Sequence, residues 1–349
     1  MAEGGAAAQP GAGVGATRLK LLRALGPGLV TGAADDDPSG IAAYTQAGAA
    51  FGYATAWTML LAYPLMVAVQ IISARIGRVT GAGIGSALRA HYPAWIAYCG
   101  IGLLLVANTI NLGADIGAMA ESIRVLLGGP LAIYVVAFGL ACAGAEIVLT
   151  YERYVAVLKW LTLALFAYVA TLFFVHIDFG ALALGLFAPR VSLSKDYLTT
   201  VVAILGTTIS PYLFFWQSSQ EAEETKSVPR RRPLRGAPRQ AADAYSRIQL
   251  DTIAGMGFSN LIALAIIATA AATLNATGQT SVQTASDAAS ALKPLAGPYA
   301  EALFALGIVA PGCSACRCWP ARRPMRSARR CAGRPASPAS RARPRRSTA

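Results

Sequence analysis

Three adjacent aspartates, Asp35, Asp36 and Asp37, stand inside an apolar stretch and run directly into Pro38, Ser39 and Gly40. A carboxylate at bilayer depth is costly unless it faces water, an ion or a partner, and proline cannot continue the helical hydrogen-bond pattern. The same grammar returns 173 residues later, where Thr207, Thr208, Ile209 and Ser210 meet Pro211. In both places a capping-type residue precedes a proline suited to the first helical position, so Asp37 and Ser210 are expected to cap the N–H groups of a restarted helix. Carbonyls freed before each break, beside carboxylates, would attract a cation. The side chains at the breaks are Asp, Ser and Thr, with no Cys, Met or His, and such hard oxygen donors suit Mg²⁺, Mn²⁺ or Ca²⁺ better than soft metals. No His, Lys or Cys stands beside either break to act as base or nucleophile. The chemistry is therefore that of binding and moving an ion, the ion being substrate with no resident cofactor, rather than that of a metal-dependent membrane enzyme. A sodium-coupled organic solute symporter is the other alternative; it would favour exposed Gly N–H groups over three aspartates.

The elements that must position these residues are membrane helices. The chain has 349 residues, 55% hydrophobic and only 13% charged, against about 25% charged in soluble proteins. Seven segments have the roughly 20 mainly apolar residues of a span: about 24–50, 54–74, 95–117, 131–150, 156–175, 197–219 and 251–274, with an eighth beginning near Tyr299 and ending at Ala310. Leu, Val, Ile and Phe alternate in them with Gly and Ala, the pattern of helices that approach closely in lipid. The two breaks fall in spans one and six, as expected for two five-helix repeats with the substrate held between discontinuous helices at mid-membrane.

The net charge of +13 does not indicate nucleic acid, because it is not spread over the chain. Residues 311–349 hold eleven Arg and no acid, while residues 1–310 hold 19 basic against 17 acidic residues. With the N-terminus cytoplasmic, fifteen of the basic residues before 311 fall inside and four outside, as the positive-inside tendency requires. A multi-pass protein of a bacterial-type cytoplasmic membrane follows, with lipid as its surroundings and no obligate protein partner inferred. Residues 1–20 lack the features of a signal peptide and read as a disordered arm.

Other polar residues in the spans are weighed more evenly. Asn108, Asn111 and Asp115 share one face of span three, more in keeping with a network between helices than with the ion path. Gln217, Gln220, Glu221, Glu223 and Glu224 follow the second break and mark its cytoplasmic mouth, either drawing cations in or forming a plain solvated end. The loop RRRPLRGAPR could touch anionic headgroups, although topology alone accounts for its charge.

GPGLVTGAADDDPSG resembles the first-helix signature of the Nramp family of divalent metal transporters, and TTISPYLFFWQSSQEAEE resembles the sixth. The resemblance runs from about Leu21 to Ala310. It implies an all-α polytopic membrane protein with the LeuT-like inverted-repeat fold, its second repeat incomplete here. The family's Asp-Pro-Gly-Asn stands here as Asp37-Pro38-Ser39-Gly40, so Asp37 matches the metal-binding aspartate and Gly40 replaces the metal-binding asparagine. The usual Met-Pro-His stands as Ser210-Pro211-Tyr212, without the soft methionine and without the histidine linked to proton movement. Ala34 and Thr207 match positions whose backbone carbonyls bind metal. These departures resemble the Mg²⁺/Mn²⁺-type branch, in which a more hydrated ion is accommodated and proton coupling is absent.

After ALFALGIVA the composition changes abruptly. Residues 311–349 contain eleven Arg, six Pro and four of the six Cys. Cys313, Cys316 and Cys318 lack a matching fourth metal ligand. One choice of codons for Gly312 to Arg330 reads, two nucleotides further on, as an apolar helix continuation, so the tail is expected to be an out-of-frame translation that truncates the transporter. It should form neither a span nor a folded domain. The expected organisation is thus a 1–20 arm, a 21–310 transmembrane domain and a 311–349 tail.

Overall fold

The computed structural model describes Gly32 and residues 35–148, 169–189, 191–228, 231–282 and 285–290, together with residues 297, 302, 304, 305, 308 and 309. All of these belong to the unit Met1–Trp319; a second unit, Pro320–Ala349, lies outside the described residues. So do Ala34, the 1–20 arm and most of the fifth span. Every long element among the described residues is a helix.

The first span resumes as α1, Pro38–Phe51, and a short 3-10 turn, Gly52–Thr55, leads into α2, Trp57–Thr80. α2 ends because Gly81, at φ +67°, takes the left-handed conformation that closes the last turn onto the Gly77 carbonyl. The short α3, Ile84–His91, precedes α4, Ala94–Leu127, and α5, Leu131–Val148. After the fifth span come α6, Phe179–Phe187, then α7, Lys195–Thr208, and α8, Pro211–Ser227, which are the two halves of the sixth span. The long α9, Ala241–Thr273, and the short α10, Ala285–Ser290, complete the order.

Where spans are described, the apolar windows fall on helices but shorten several of them. The third was expected to end near 117 and runs to Leu127, and the seventh was expected to begin at 251 and starts at Ala241. A hydropathy window registers the part matched to lipid, whereas helical hydrogen bonding continues into the polar turns AADAYSRIQ.

The core lies along α9. In its apolar window 61% of residues are buried, against 6% for α4. Ile262, Ala263, Ile266 and Ile267 of α9 pack with Ile41, Tyr44 and Ala47 of α1, Met59 of α2, Met119 of α4 and Ile204 of α7. Phe304 and Ile308, from the start of the eighth span, join this cluster. Small residues let backbones touch: a side chain at Gly48 would strike the Ile267 carbonyl, and one at Gly77 would strike the Ser218 carbonyl. These contacts fix α1 against α9 and α2 against α8, and so fix the two halves that carry the break residues.

Candidate metal centre at two helix breaks

The first break is built by Asp37. It is the N-cap of α1, with Pro38 in the first turn, and its Oδ1 accepts the Gly40 N–H at 2.7 Å. The Ser39 hydroxyl also donates to Oδ1, at 2.7 Å. Oδ2 accepts from Asn111 Nδ2 and from the Tyr212 hydroxyl, each at 2.9 Å. The Asp37 carboxylate, 3% exposed, thus gathers donors from the restarted helix, from α4 and from α8. The bond from Tyr212 joins the two breaks directly.

Behind this carboxylate stands a second one. Asp115, fully buried on α4, accepts the Ser39 N–H on Oδ1 at 3.2 Å and Asn111 Nδ2 on Oδ2 at 3.4 Å. Asn111 and Asp115 therefore form the expected network between helices: they tie α4 to α1, and the tie is made at Asp37. Asn108, a turn earlier, is half-buried.

The other two aspartates turn away. The Ser259 hydroxyl of α9 lies 2.7 Å from Asp35 Oδ2 and 3.2 Å from Asp36 Oδ1. Asp35 Oδ1 and Asp36 Oδ2 are buried without a hydrogen-bond partner among the described residues. The run of three acids is therefore split between two neighbours. Among the described residues no three His, Cys, Asp or Glu side chains converge as a ready-made metal cluster. An ion here would draw on backbone carbonyls, hydroxyls and water as well as on carboxylate.

The second break has the expected backbone and a different side-chain role. α7 ends at Thr208, Ser210 is extended at φ −75° and ψ 126°, and Pro211 starts α8. The Ser210 side chain makes no capping bond to α8; it donates back to the Thr207 carbonyl and, at 3.3 Å, to the Gly206 carbonyl. The expectation that Ser210 would cap as Asp37 does is corrected here. Its hydroxyl satisfies carbonyls at the end of α7, where acceptors are left over. The Thr207 hydroxyl bonds the Ile204 carbonyl at 3.0 Å, so toward a ligand Thr207 has its own carbonyl to offer, shared with Ser210. Gly40 contributes an N–H to Asp37 and no side chain; the Cβ of a larger residue would lie 3.3 Å from Asp37 Oδ1.

At the acidic end of α8, Glu223 is exposed while Glu221 and Glu224 are held in ion pairs. Glu221 is 1% exposed and receives Arg247 Nη2 on both oxygens, at 2.7 and 3.0 Å. Glu224 pairs with Arg231 and, at 3.2 Å, with Arg247. Arg78, buried at the end of α2, donates to Thr225, to the Arg232 carbonyl and to Gln240. The arginine-rich loop thus docks on α2 and α8, and the Leu234 N–H bonds the Arg78 carbonyl at 3.2 Å.

Sequence reasoning named Asp37, Ser210, Thr207 and Gly40, and the structure brings their segments together. It did not count Tyr212 as part of the site, and it missed Ser259. A signal for the latter existed, since Thr252 and Ser259 lie seven apart on one face of an apolar helix, and both are buried.

The multi-pass all-α membrane fold has counterparts among solved structures. Crystal structures of the Eremococcus coleocola manganese transporter superpose with TM-scores of 0.68 for a variant and 0.64 for a complex with an aromatic bis-isothiourea substituted compound. In both cases the identity is 18% over 88% of this chain. The chain spans 65% of the length of those transporters. The fold is the LeuT-like one of that protein. A family model described as Natural resistance-associated macrophage protein-like matches residues 28–323, and the chain belongs to the Nramp family. The match extends past Ala310, where the composition changes. Among curated relatives, the divalent metal cation transporter MntH of Yersinia enterocolitica is 29% identical over 307 residues, 85% of this chain and 70% of that protein.

Proposed function

We propose that the chain transports a divalent cation, Mg²⁺ or Mn²⁺, across a bacterial-type cytoplasmic membrane with its N-terminus on the cytoplasmic side, and that it is a transporter and not an enzyme. The observation that carries the reading is the Tyr212–Asp37 hydrogen bond, which sets the breaks of spans one and six against each other around a buried carboxylate. Asp37 supplies the ligand charge, the carbonyls of Ala34 and Thr207 supply neutral oxygen, and Ser210 and Gly40 leave room for water where a sulfur and an amide would otherwise crowd the ion. Hard donors with several retained waters suit Mg²⁺ and the similar Mn²⁺. The names of the relatives, a manganese transporter and a divalent metal cation transporter, support this reading.

The organisation proposed for the chain is a 21–310 transport domain preceded by a 1–20 arm and followed by an out-of-frame 311–349 tail. Resequencing the source DNA across the codons for Val309 to Gly312 tests the last part. A confirmed frame, in a chain that imports metal as fast as an intact relative, would refute it. For the function itself, the test is uptake of Mn²⁺ and Mg²⁺ into proteoliposomes by this chain and by its frame-corrected form. Uptake that depends on Asp37 is the expected result; uptake of neither ion by either form sinks the proposal.

A further inference from the structure

We propose that Tyr212 sets ion preference at Asp37, its phenol favouring a divalent cation that binds through its own waters over one that binds the carboxylate directly. The inference rests on the transport reading above and adds a residue and a selection rule to it.

A carboxylate offers about four acceptor positions, and four donors stand at Asp37: Gly40 and Ser39 at Oδ1, the Ser39 proton shared with Asn111 Oδ1, and Asn111 and Tyr212 at Oδ2. These donors are not equally free to leave. The Gly40 N–H belongs to the first turn of α1, and releasing it would uncap the helix. The Ser39 hydroxyl lies between Asp37 Oδ1 and Asn111 Oδ1, 2.9 Å away, and Asn111 also reaches Asp115. Tyr212 is the donor contributed by the other break. Its ring packs with Leu104 and Leu213 and is flanked by Phe215 and Trp216, so it stays in place while the O–H can turn about the C–O bond.

Two ways of binding then differ in what they cost. A cation that takes Oδ2 as a direct ligand displaces the phenol proton and loses a charge-assisted hydrogen bond in a buried site. A hydrated cation leaves that bond intact, because the phenol oxygen can accept from a metal-bound water while still donating to Asp37. Mg²⁺ dehydrates reluctantly and keeps several waters, so the phenol penalises it least. An ion that exchanges water for carboxylate more readily bears the full loss.

The test uses the full chain purified in detergent, with free Mn²⁺ read by electron paramagnetic resonance and Mg²⁺ by competition. Tyr212→Phe keeps the ring and removes the donor. The ratio of Mn²⁺ to Mg²⁺ affinity is expected to rise about tenfold, the size of one charge-assisted hydrogen bond. Tyr212→Gln, which retains an N–H donor, should stay near the wild-type ratio and serves if the Phe variant fails to fold. A ratio within twofold of wild type in Tyr212→Phe, a parallel loss of both ions there, or a raised ratio in Tyr212→Gln overturns the assignment. The two levels of failure separate cleanly. If wild type binds neither ion, the transport reading falls and takes this one with it. If wild type binds and Asp37→Ala does not, yet the Tyr212→Phe ratio is unmoved, the selection rule alone falls.

Discussion

The two helix breaks are written alike and work differently. At the first, Asp37 reaches forward to cap α1 and collects donors from three elements. At the second, Ser210 reaches backward and closes the carbonyl end of α7. A carboxylate can only accept, so it turns to the N–H end of the next helix; a hydroxyl can donate, so it turns to the C=O end of the last one. An acceptor-or-hydroxyl residue before proline therefore predicts where a helix stops and restarts. Which of the two ends its side chain serves depends on its chemistry and on its neighbours.

The sharpest way to break that contrast is to remove each side chain. Asp37→Ala takes away the charge, the α1 cap and the meeting point of the breaks, and metal uptake into liposomes should fall to background. Ser210→Ala removes a neutral bond within one chain turn and should lower uptake less than about fivefold. Equal losses in the two variants would mean that the second break holds the ion as directly as the first.

Next in size is the far anchor of the second break. α8 carries Tyr212 at one end and Glu221 at the other, and Glu221 is held by Arg247 of α9 in a nearly dry ion pair. Removing one partner of a buried pair typically costs about 3–5 kcal/mol. Arg247→Ala should destabilise the detergent-solubilised protein by that order, seen as an earlier unfolding midpoint in a denaturant series. Adding Glu221→Gln should recover part of the loss by removing the stranded charge. An Arg247→Ala midpoint matching wild type would show the mouth of α8 to be wet and weakly held.

A smaller effect is expected at Asn111, which stands behind the first break. Asn111→Leu leaves Asp37 Oδ2 to Tyr212 and takes a donor from Asp115. The chain should still insert and fold, with uptake reduced about tenfold, the effect of one hydrogen bond to a charged group. If the rate is unchanged, Asn111 holds α4 against α1 without tuning the ion ligand.

Much of this was legible in the residues. Asp37–Pro38 and Ser210–Pro211 announced both breaks because capping and proline geometry are local, set by a few neighbouring atoms. The same locality hid the partners. Three consecutive aspartates read as one cluster, yet Asp35 and Asp36 bond Ser259 from 223 to 224 residues away, and Asp37 bonds Asn111 and Tyr212. Direction around a broken turn is fixed by which helix packs on which side, and that is a property of tertiary contacts such as Gly48 on Ile267. Two of the α8 glutamates, Glu221 and Glu224, hid their partners for a related reason. They look solvated in the sequence until Arg231 and Arg247, which pair with them, are seen to fold back from the next loop and helix.

The finest test adds to the second break what its sequence leaves out. Ser210 is 6% exposed, its hydroxyl turned toward the Thr207 carbonyl that would face the ion. Ser210→Met removes that internal donor and brings a soft, polarisable sulfur to the same position on a flexible stem. Thioether ligands favour softer cations, while carboxylate, carbonyl and water favour Mg²⁺ and Mn²⁺. Competition of Cd²⁺ against Mn²⁺ uptake should therefore strengthen by a few-fold, with Mg²⁺ uptake falling as the larger side chain displaces water from the ion. Because Asp37 keeps its four donors, total Mn²⁺ uptake should change less than in any variant above. The outcome that would count against the geometry is an unaltered Cd²⁺ preference together with intact Mn²⁺ transport. That would place position 210 outside the ion's reach, and leave the first break and its carboxylate as the whole of the binding centre.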